Sequence, residues 1–161
     1  MRLAVLVLED EPEVRDALLR DLRAFAEVVR LEGADDVADA RAVLDEVRDD
    51  GDRLALVLAD HRLPGESGVD FLVELRGDPE TAEVRKVLVT GQAGQQDTIR
   101  AVNEADLDHY VAKPWQADAL MALVREQLTE YVLASGLDPL PHLRALDAGR
   151  VLPMLRDRGD R

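Results

Sequence analysis

Five residues stand where apolar runs end, and their types suit one chemistry. Glu9 and Asp10 follow Leu3–Leu8 (LAVLVL), Asp60 follows Leu54–Ala59 (LALVLA), Thr90 closes the run that starts at Val84, and Lys113 follows Asp108–Ala112. Gathered in one crevice they supply three carboxylates, a hydroxyl and an ammonium. Crowded carboxylates raise one another's pKa unless a cation is present. Oxygen donors without imidazole or thiolate favour a hard cation, Mg²⁺ or Mn²⁺, that keeps several waters. A cation beside an aspartate, with a lysine and a hydroxyl opposite, suits a phosphoryl group in transfer. Cation and lysine neutralise the equatorial oxygens while the carboxylate attacks in line.

The elements that must bring these residues together can be read from the patterning. Leu3–Leu8 and Leu54–Ala59 are unbroken apolar runs, as expected of strands buried on both faces. Val28–Leu31, Val84–Thr90 and Asp108–Ala112 read as three further strands. Between them lie helical patterns. Pro12 opens a stripe of Val14, Ala17, Leu18, Leu22 and Phe25. Asp35 or Asp36 caps a helix carrying Val37, Ala40, Leu44 and Val47 that ends near Gly51. Ser67, with Asp70 three residues on, starts a helix that stops at Gly77-Asp78-Pro79. Gln95–Glu104 and Gln116–Ala134 complete the set. Alternation of this kind predicts an α/β domain with a doubly wound, five-stranded parallel sheet. The two most apolar strands, the first and third, belong at its centre. Strand order 2-1-3-4-5 sets them side by side at the topological switch point, where such sheets build their sites.

Composition agrees. The 161 residues fit one domain of residues 1–136 with a short helical C-terminal extension, 137–161. With 47% hydrophobic but only 3% aromatic residues, the core must be made of Leu, Val and Ala. No cysteine is present, which excludes disulfides and thiolate chemistry. A net charge of −14 opposes phosphate backbones and anionic membranes, so neither nucleic acid nor membrane is an expected partner. The extension holds five arginines against four aspartates, +1, which leaves −15 on residues 1–136. Its apolar residues, from Leu143 to Leu155, either pack back on the domain or form a partner or dimer surface. The apolar N-terminal run is too short for a signal peptide and meets Glu9-Asp10-Glu11 at once, so a cytoplasmic protein is expected.

The assembled pattern resembles the receiver domain of two-component response regulators. It consists of a strand then Glu9-Asp10-Glu11-Pro12, Asp60 with Pro64-Gly65 beyond it, a strand ending at Thr90, and Tyr110 followed by Lys113-Pro114. The match covers about residues 1–130, in the family's order and spacing. The resemblance implies a flavodoxin-like fold and Asp60 as the phosphoacceptor. It also implies Asp10 as a direct metal ligand, Glu9 as the acid that holds metal-bound water, and the Arg62 backbone carbonyl as the remaining protein ligand to Mg²⁺. Thr90 and Lys113 would grip the phosphoryl oxygens and act with Asp60 in catalysis. Tyr110 would turn inward as Thr90 moves, repacking the face of helix four, strand five and helix five, and the Lys113-Pro114 peptide would be cis. A phosphohistidine-bearing sensor kinase, and a protein effector or a second copy, are the implied partners. On this reading the chain is no enzyme beyond its own phosphorylation and dephosphorylation. No attached effector is readable, so it reads as a stand-alone receiver, and Lys113-Pro114-Trp115 resembles a subgroup with varied outputs. Glu9 in place of the commoner Asp, and Gly91 in place of Ala or Ser, depart from the family pattern.

Plainer readings stand beside these. Alone, Asp10 would be a helix cap, Thr90 a turn residue, Lys113 a solvated charge and Tyr110 a half-buried strand aromatic. Trp115 reads as a packing anchor for the last helix. His61, His109 and His142 lack ligand spacing and read as surface or core-edge residues, and Gly91–Gly94 as a connection. A phosphatase of the haloacid-dehalogenase kind would place Asp-x-Asp after the first strand, which Glu9-Asp10-Glu11 fails. A degenerate receiver serving as a fixed interaction module would not need the full set Asp10, Asp60, Thr90 and Lys113.

Overall fold

The architecture was analysed in a computed structural model that describes residues 1–91 and 95–159. Its strands are β1 (Leu3–Leu8), β2 (Val29–Ala34), β3 (Arg53–Ala59), β4 (Arg85–Thr90) and β5 (His109–Ala112). They form one sheet in the order β2-β1-β3-β4-β5, with every adjacent pair parallel. The helices are α1 (Pro12–Asp21), α2 (Val37–Asp49), α3 (Gly68–Gly77), α4 (Gln95–Glu104), α5 (Ala117–Ser135) and α6 (Ala148–Gly159). Short 3-10 segments span Arg23–Phe25 and Leu140–Ala145.

All six residues of β1 are inaccessible to solvent, which explains the unbroken apolar run. Leu3, Val5 and Val7 face a core shared with Leu18 of α1 and with Leu120, Val124 and Leu128 of α5. Ala4, Leu6 and Leu8 face the opposite core, with Ala40 and Val47 of α2 and Phe71, Leu72 and Leu75 of α3. Between Ala4 and Val5 the pairing with β3 skips Ala55, so Ala55 and Leu56 both serve the first core. The helix starts follow local chemistry. Pro12 opens α1, Asp36 rather than Asp35 accepts the Asp39 N–H at 2.7 Å, and Ser67 accepts the Asp70 N–H at 3.0 Å. Gly136, at φ 72°, closes α5 in the left-handed conformation.

Two elements differ from the sequence expectation. β2 runs on through Glu32, Gly33 and Ala34, because backbone pairing with Leu6–Leu8 defines it, not apolarity. The stripe from Val14 to Phe25 breaks after Asp21, and Phe25 reaches the core from the 3-10 turn.

Beyond Gly136 the chain folds back. Ala145, Leu146 and Val151 are buried in the α1–α5 core, while Leu140, Leu152 and Met154 stay exposed. Arg125 of α5 donates to the carbonyls of Arg144 and Leu146 at 3.0 and 3.2 Å, and its guanidinium lies 5.0 Å from the Phe25 ring centre. The Asp147 N–H donates to Thr129 Oγ1 at 2.8 Å. His142, expected at the surface or core edge, is only 5% exposed, and burial pushes its pKa down.

Candidate functional site: an acidic crevice at the strand ends

Glu9 continues β1 by donating its N–H to the Ala34 carbonyl at 2.9 Å, and Asp60 continues β3 by donating to the Leu8 carbonyl at 2.9 Å. These ladder bonds put the two acids side by side just past the sheet. Ligand oxygens of Glu9, Asp10 and Asp60 lie within 4.8 Å of one another. Lys113, carried in from the end of β5, donates from Nζ to Asp60 Oδ2 at 2.8 Å and to Glu9 Oε1 at 3.1 Å. Thr90 is buried at the end of β4, and its side chain helps hold the Asp60 pKa down. The Lys113–Pro114 peptide is cis.

Tyr110 donates its hydroxyl to the Thr90 carbonyl at 3.0 Å and remains 36% exposed. The Arg62 N–H lies 3.4 Å from Asp60 Oδ1, which brings the Arg62 backbone to the rim. Trp115 donates to Asp21 Oδ2 at 2.8 Å, tying the start of α5 to the end of α1. Residues 92–94 of the expected connection Gly91–Gly94 lie outside the described residues.

The electrostatics follow from burial. Glu9 is 1% and Asp60 7% exposed. Burial, and then the neighbouring Asp60, push Glu9 up to about 8. Burial acts on Asp60 in the same sense but is outweighed by hydrogen bonds from Glu9 and Lys113, so Asp60 titrates below the usual carboxylate range. Lys113 is raised, since its two carboxylate partners outweigh its own burial. Glu9 and Asp60 thus shift in opposite directions, as two buried acids sharing one lysine do. Among the described residues Glu9 Oε2 is buried without a hydrogen-bond partner. An orphaned carboxylate oxygen inside an all-oxygen donor set fits a hard divalent cation.

Gly68 is a contributor that escaped the sequence reading. Gly68, the first residue of α3, packs so tightly on Asp60 that a Cβ there would fall 1.8 Å from the Asp60 carbonyl oxygen. Its N–H donates to the His61 carbonyl at 3.0 Å, closing the loop between Asp60 and α3. A glycine at a helix's first position, where other residues serve better, was the only available signal.

Residues 5–125 match the family described as response regulator receiver domain, and the chain belongs to that family. Its members are phosphoacceptor signalling domains, and the acidic cluster fits their Mg²⁺ pocket. The chain is 36% identical over 154 residues to the hydrogenase transcriptional regulatory protein HoxA of Cupriavidus necator, covering 96% of this chain and 29% of HoxA. Among solved structures, a signal receiver domain of an HD domain-containing protein from Pseudomonas fluorescens superposes with a TM-score of 0.73. It is 21% identical, over 84% of this chain and 93% of that one. A CheY-like receiver domain protein from Methanospirillum hungatei gives 0.71 at 22% identity, over 83% and 99%. Both show the fold. HoxA is by name a transcriptional regulatory protein, and the expectation of no nucleic-acid partner is not supported. Among the described residues no helix is long and apolar enough to cross a membrane.

Proposed function

We propose that the chain is a phosphorylation switch in which Asp60 accepts a phosphoryl group from the phosphohistidine of a sensor kinase. The observation that carries this is the convergence of Lys113 Nζ on Asp60 at 2.8 Å within a cluster of three carboxylates. Glu9, Asp10, Asp60 and the Arg62 backbone carbonyl would hold Mg²⁺, with Mn²⁺ as a substitute. When bound, the ion supplies positive charge against the phosphoryl oxygens. An Asp60 oxygen attacks phosphorus as the donor's phosphorus–nitrogen bond breaks, and the leaving imidazole keeps the bonding pair and takes a proton from solvent. Lys113 exchanges its carboxylate partner for a phosphoryl oxygen, and the Thr90 hydroxyl donates to another. Water later attacks phosphorus, the bond from phosphorus to the Asp60 oxygen breaks, and inorganic phosphate leaves with the Asp60 carboxylate restored.

The output face is that of α4, β5 and α5. Tyr110 already holds the Thr90 carbonyl, so a shift of Thr90 toward the phosphoryl group pulls on β5. Ile99 and Val102 stand 49% and 52% exposed on the adjoining α4 and suit a protein effector or a second copy. A cytoplasmic location agrees with a kinase donor of this type.

Acetyl phosphate with Mg²⁺ tests the reading. Intact mass should rise by one phosphoryl group in the wild type and not in Asp60→Asn. An unlabelled wild type would leave a fixed interaction module instead, and turnover of small phosphate esters would favour the phosphatase. Size-exclusion chromatography with beryllofluoride and Mg²⁺ then separates self-association from action on another protein.

A further inference from the structure

Glu9 is held from two directions, and the second hold comes from outside the crevice. On one side its N–H bonds to Ala34 of β2 at 2.9 Å. On the other, its carbonyl accepts from Arg15 Nη1 at 2.8 Å. Arg15 lies in the first turn of α1, flanked in sequence by Glu11, Glu13 and Asp16, any of which could attract a surface arginine. Its guanidinium goes instead to a main-chain oxygen. The path is specific as well. The side-chain stem crosses β2 at Gly33, where a Cβ would come 3.2 Å from Arg15 Cδ and 3.3 Å from Leu19 Cδ1. Gly33 pairs with Val7, and the next pair, Leu8 with Ala34, precedes the Glu9 hydrogen bond. The glycine is thus a notch in the edge strand, placed where the arginine must pass to reach the acids' backbone.

Building on the phosphoacceptor reading, we propose that Arg15 is a positioning residue for the acid pair Glu9 and Asp10, with Gly33 as the notch that admits it. The carbonyl it grips belongs to the peptide joining the two acids. Fixing that peptide plane fixes the direction in which both side chains leave the backbone. Mutual repulsion drives the three carboxylates apart, and divalent-ion binding needs them together. Among the described residues Arg15 bonds the Glu9 carbonyl and pairs with no crevice carboxylate, so it acts through the backbone. Groups that orient ligands in this way change metal affinity by about 10–100-fold when removed.

The test titrates Mg²⁺ alone into the full chain by calorimetry, with melting in EDTA measured in parallel. Arg15→Met keeps the stem over Gly33 but removes the donor. Its Mg²⁺ affinity should fall about tenfold while its melting point in EDTA stays near that of the wild type. Arg15→Lys, which keeps a donor, should recover part of the loss. Gly33→Ala displaces the stem without touching the guanidinium and should weaken Mg²⁺ binding in the same sense, by less. Wild-type Mg²⁺ affinity in Arg15→Met, with the wild type itself binding, overturns the positioning role and leaves the phosphoacceptor reading standing. The role is equally overturned if affinity falls only in step with melting point and Gly33→Ala binds normally. A wild type that binds no Mg²⁺ defeats the phosphoacceptor reading first.

Discussion

Three acids and one lysine occupy the crevice, and their protonation couples the site to the stability of the chain. Asp60 and Glu9 compete for charge, with the Asp60 pKa lowered and the Glu9 pKa raised. Asp60→Asn relieves that competition and leaves Lys113 with Glu9 as partner, 3.1 Å away. In chelator this variant should melt about 2–4 °C above the wild type, the shift that ~1 kcal/mol produces in a chain of this size. Scanning calorimetry in EDTA checks it, and a lower melting point would mean that the Asp60–Lys113 pair outweighs the crowding. The Glu9 proton has its own signature. Its folded pKa of about 8 lies above the ordinary glutamate value of 4.5, so the folded state holds the proton more tightly. That contribution is complete below the unfolded pKa and is lost as pH rises through the folded one. In EDTA, stability should therefore decline between about pH 5 and pH 8. Asp108, also raised by burial, adds to the decline, while His142, lowered by burial, opposes it. Urea titrations across this range should show a shallower decline in Glu9→Gln, which isolates the Glu9 share. Saturating Mg²⁺ should raise the wild-type melting temperature by mass action and flatten the slope.

At the scale of elements, the junction of β3 with α3 sets the geometry around Asp60. Gly68 lets the start of α3 sit directly on the Asp60 carbonyl, and the atom met there is backbone, which cannot swing aside. Gly68→Ala should cost about 1–3 kcal/mol as an overpacking change and should slow labelling by acetyl phosphate. A denaturant midpoint equal to the wild type's would show that the seat is loose. The loop after Asp60 is also pinned from α2, where Arg41 pairs with Glu66 at 2.7 Å and with Glu74 of α3 at 2.7 Å. Asp70 near the start of α3 pairs with Arg100 in the middle of α4 at 2.6 Å. At the far end of β4, Lys86 is 2% exposed and donates its ammonium to the Ala82 and Val84 carbonyls, so burial lowers its pKa without leaving it unsatisfied.

Across the whole molecule, the stretch after Gly136 belongs to the packing of the α1–α5 face. Ala145, Leu146 and Val151 fill that core, and Arg125 caps the carbonyls of the returning chain. Leu146→Ala should cost about 2–5 kcal/mol, measured as a shift in urea midpoint, whereas exposed Leu152→Ala should stay within about 0.5 kcal/mol. Equal effects would mean that the extension merely rests on the surface. Residues 1–136 carry −15 and the extension +1, so the near-neutral extension is where a second copy meets least repulsion.

The residues alone were enough to specify the alternation of strands and helices and the gathering of Glu9, Asp10, Asp60, Thr90 and Lys113 at one sheet end. Both follow from periodicity and chain order, which are local properties of the sequence. The sheet order and the parallel pairing agree with that expectation. Tertiary structure alone decided which neighbours close the site. Arg15, Gly33 and Gly68 matter because distant backbones approach them, and no local pattern records an approach. The same holds for β2, whose polar end is a strand only because β1 pairs with it. It holds also for His142 and Lys86, polar residues whose burial is imposed by elements packed over them. Periodicity reports which face a residue prefers, while contacts between remote segments are set by the summed packing of the chain.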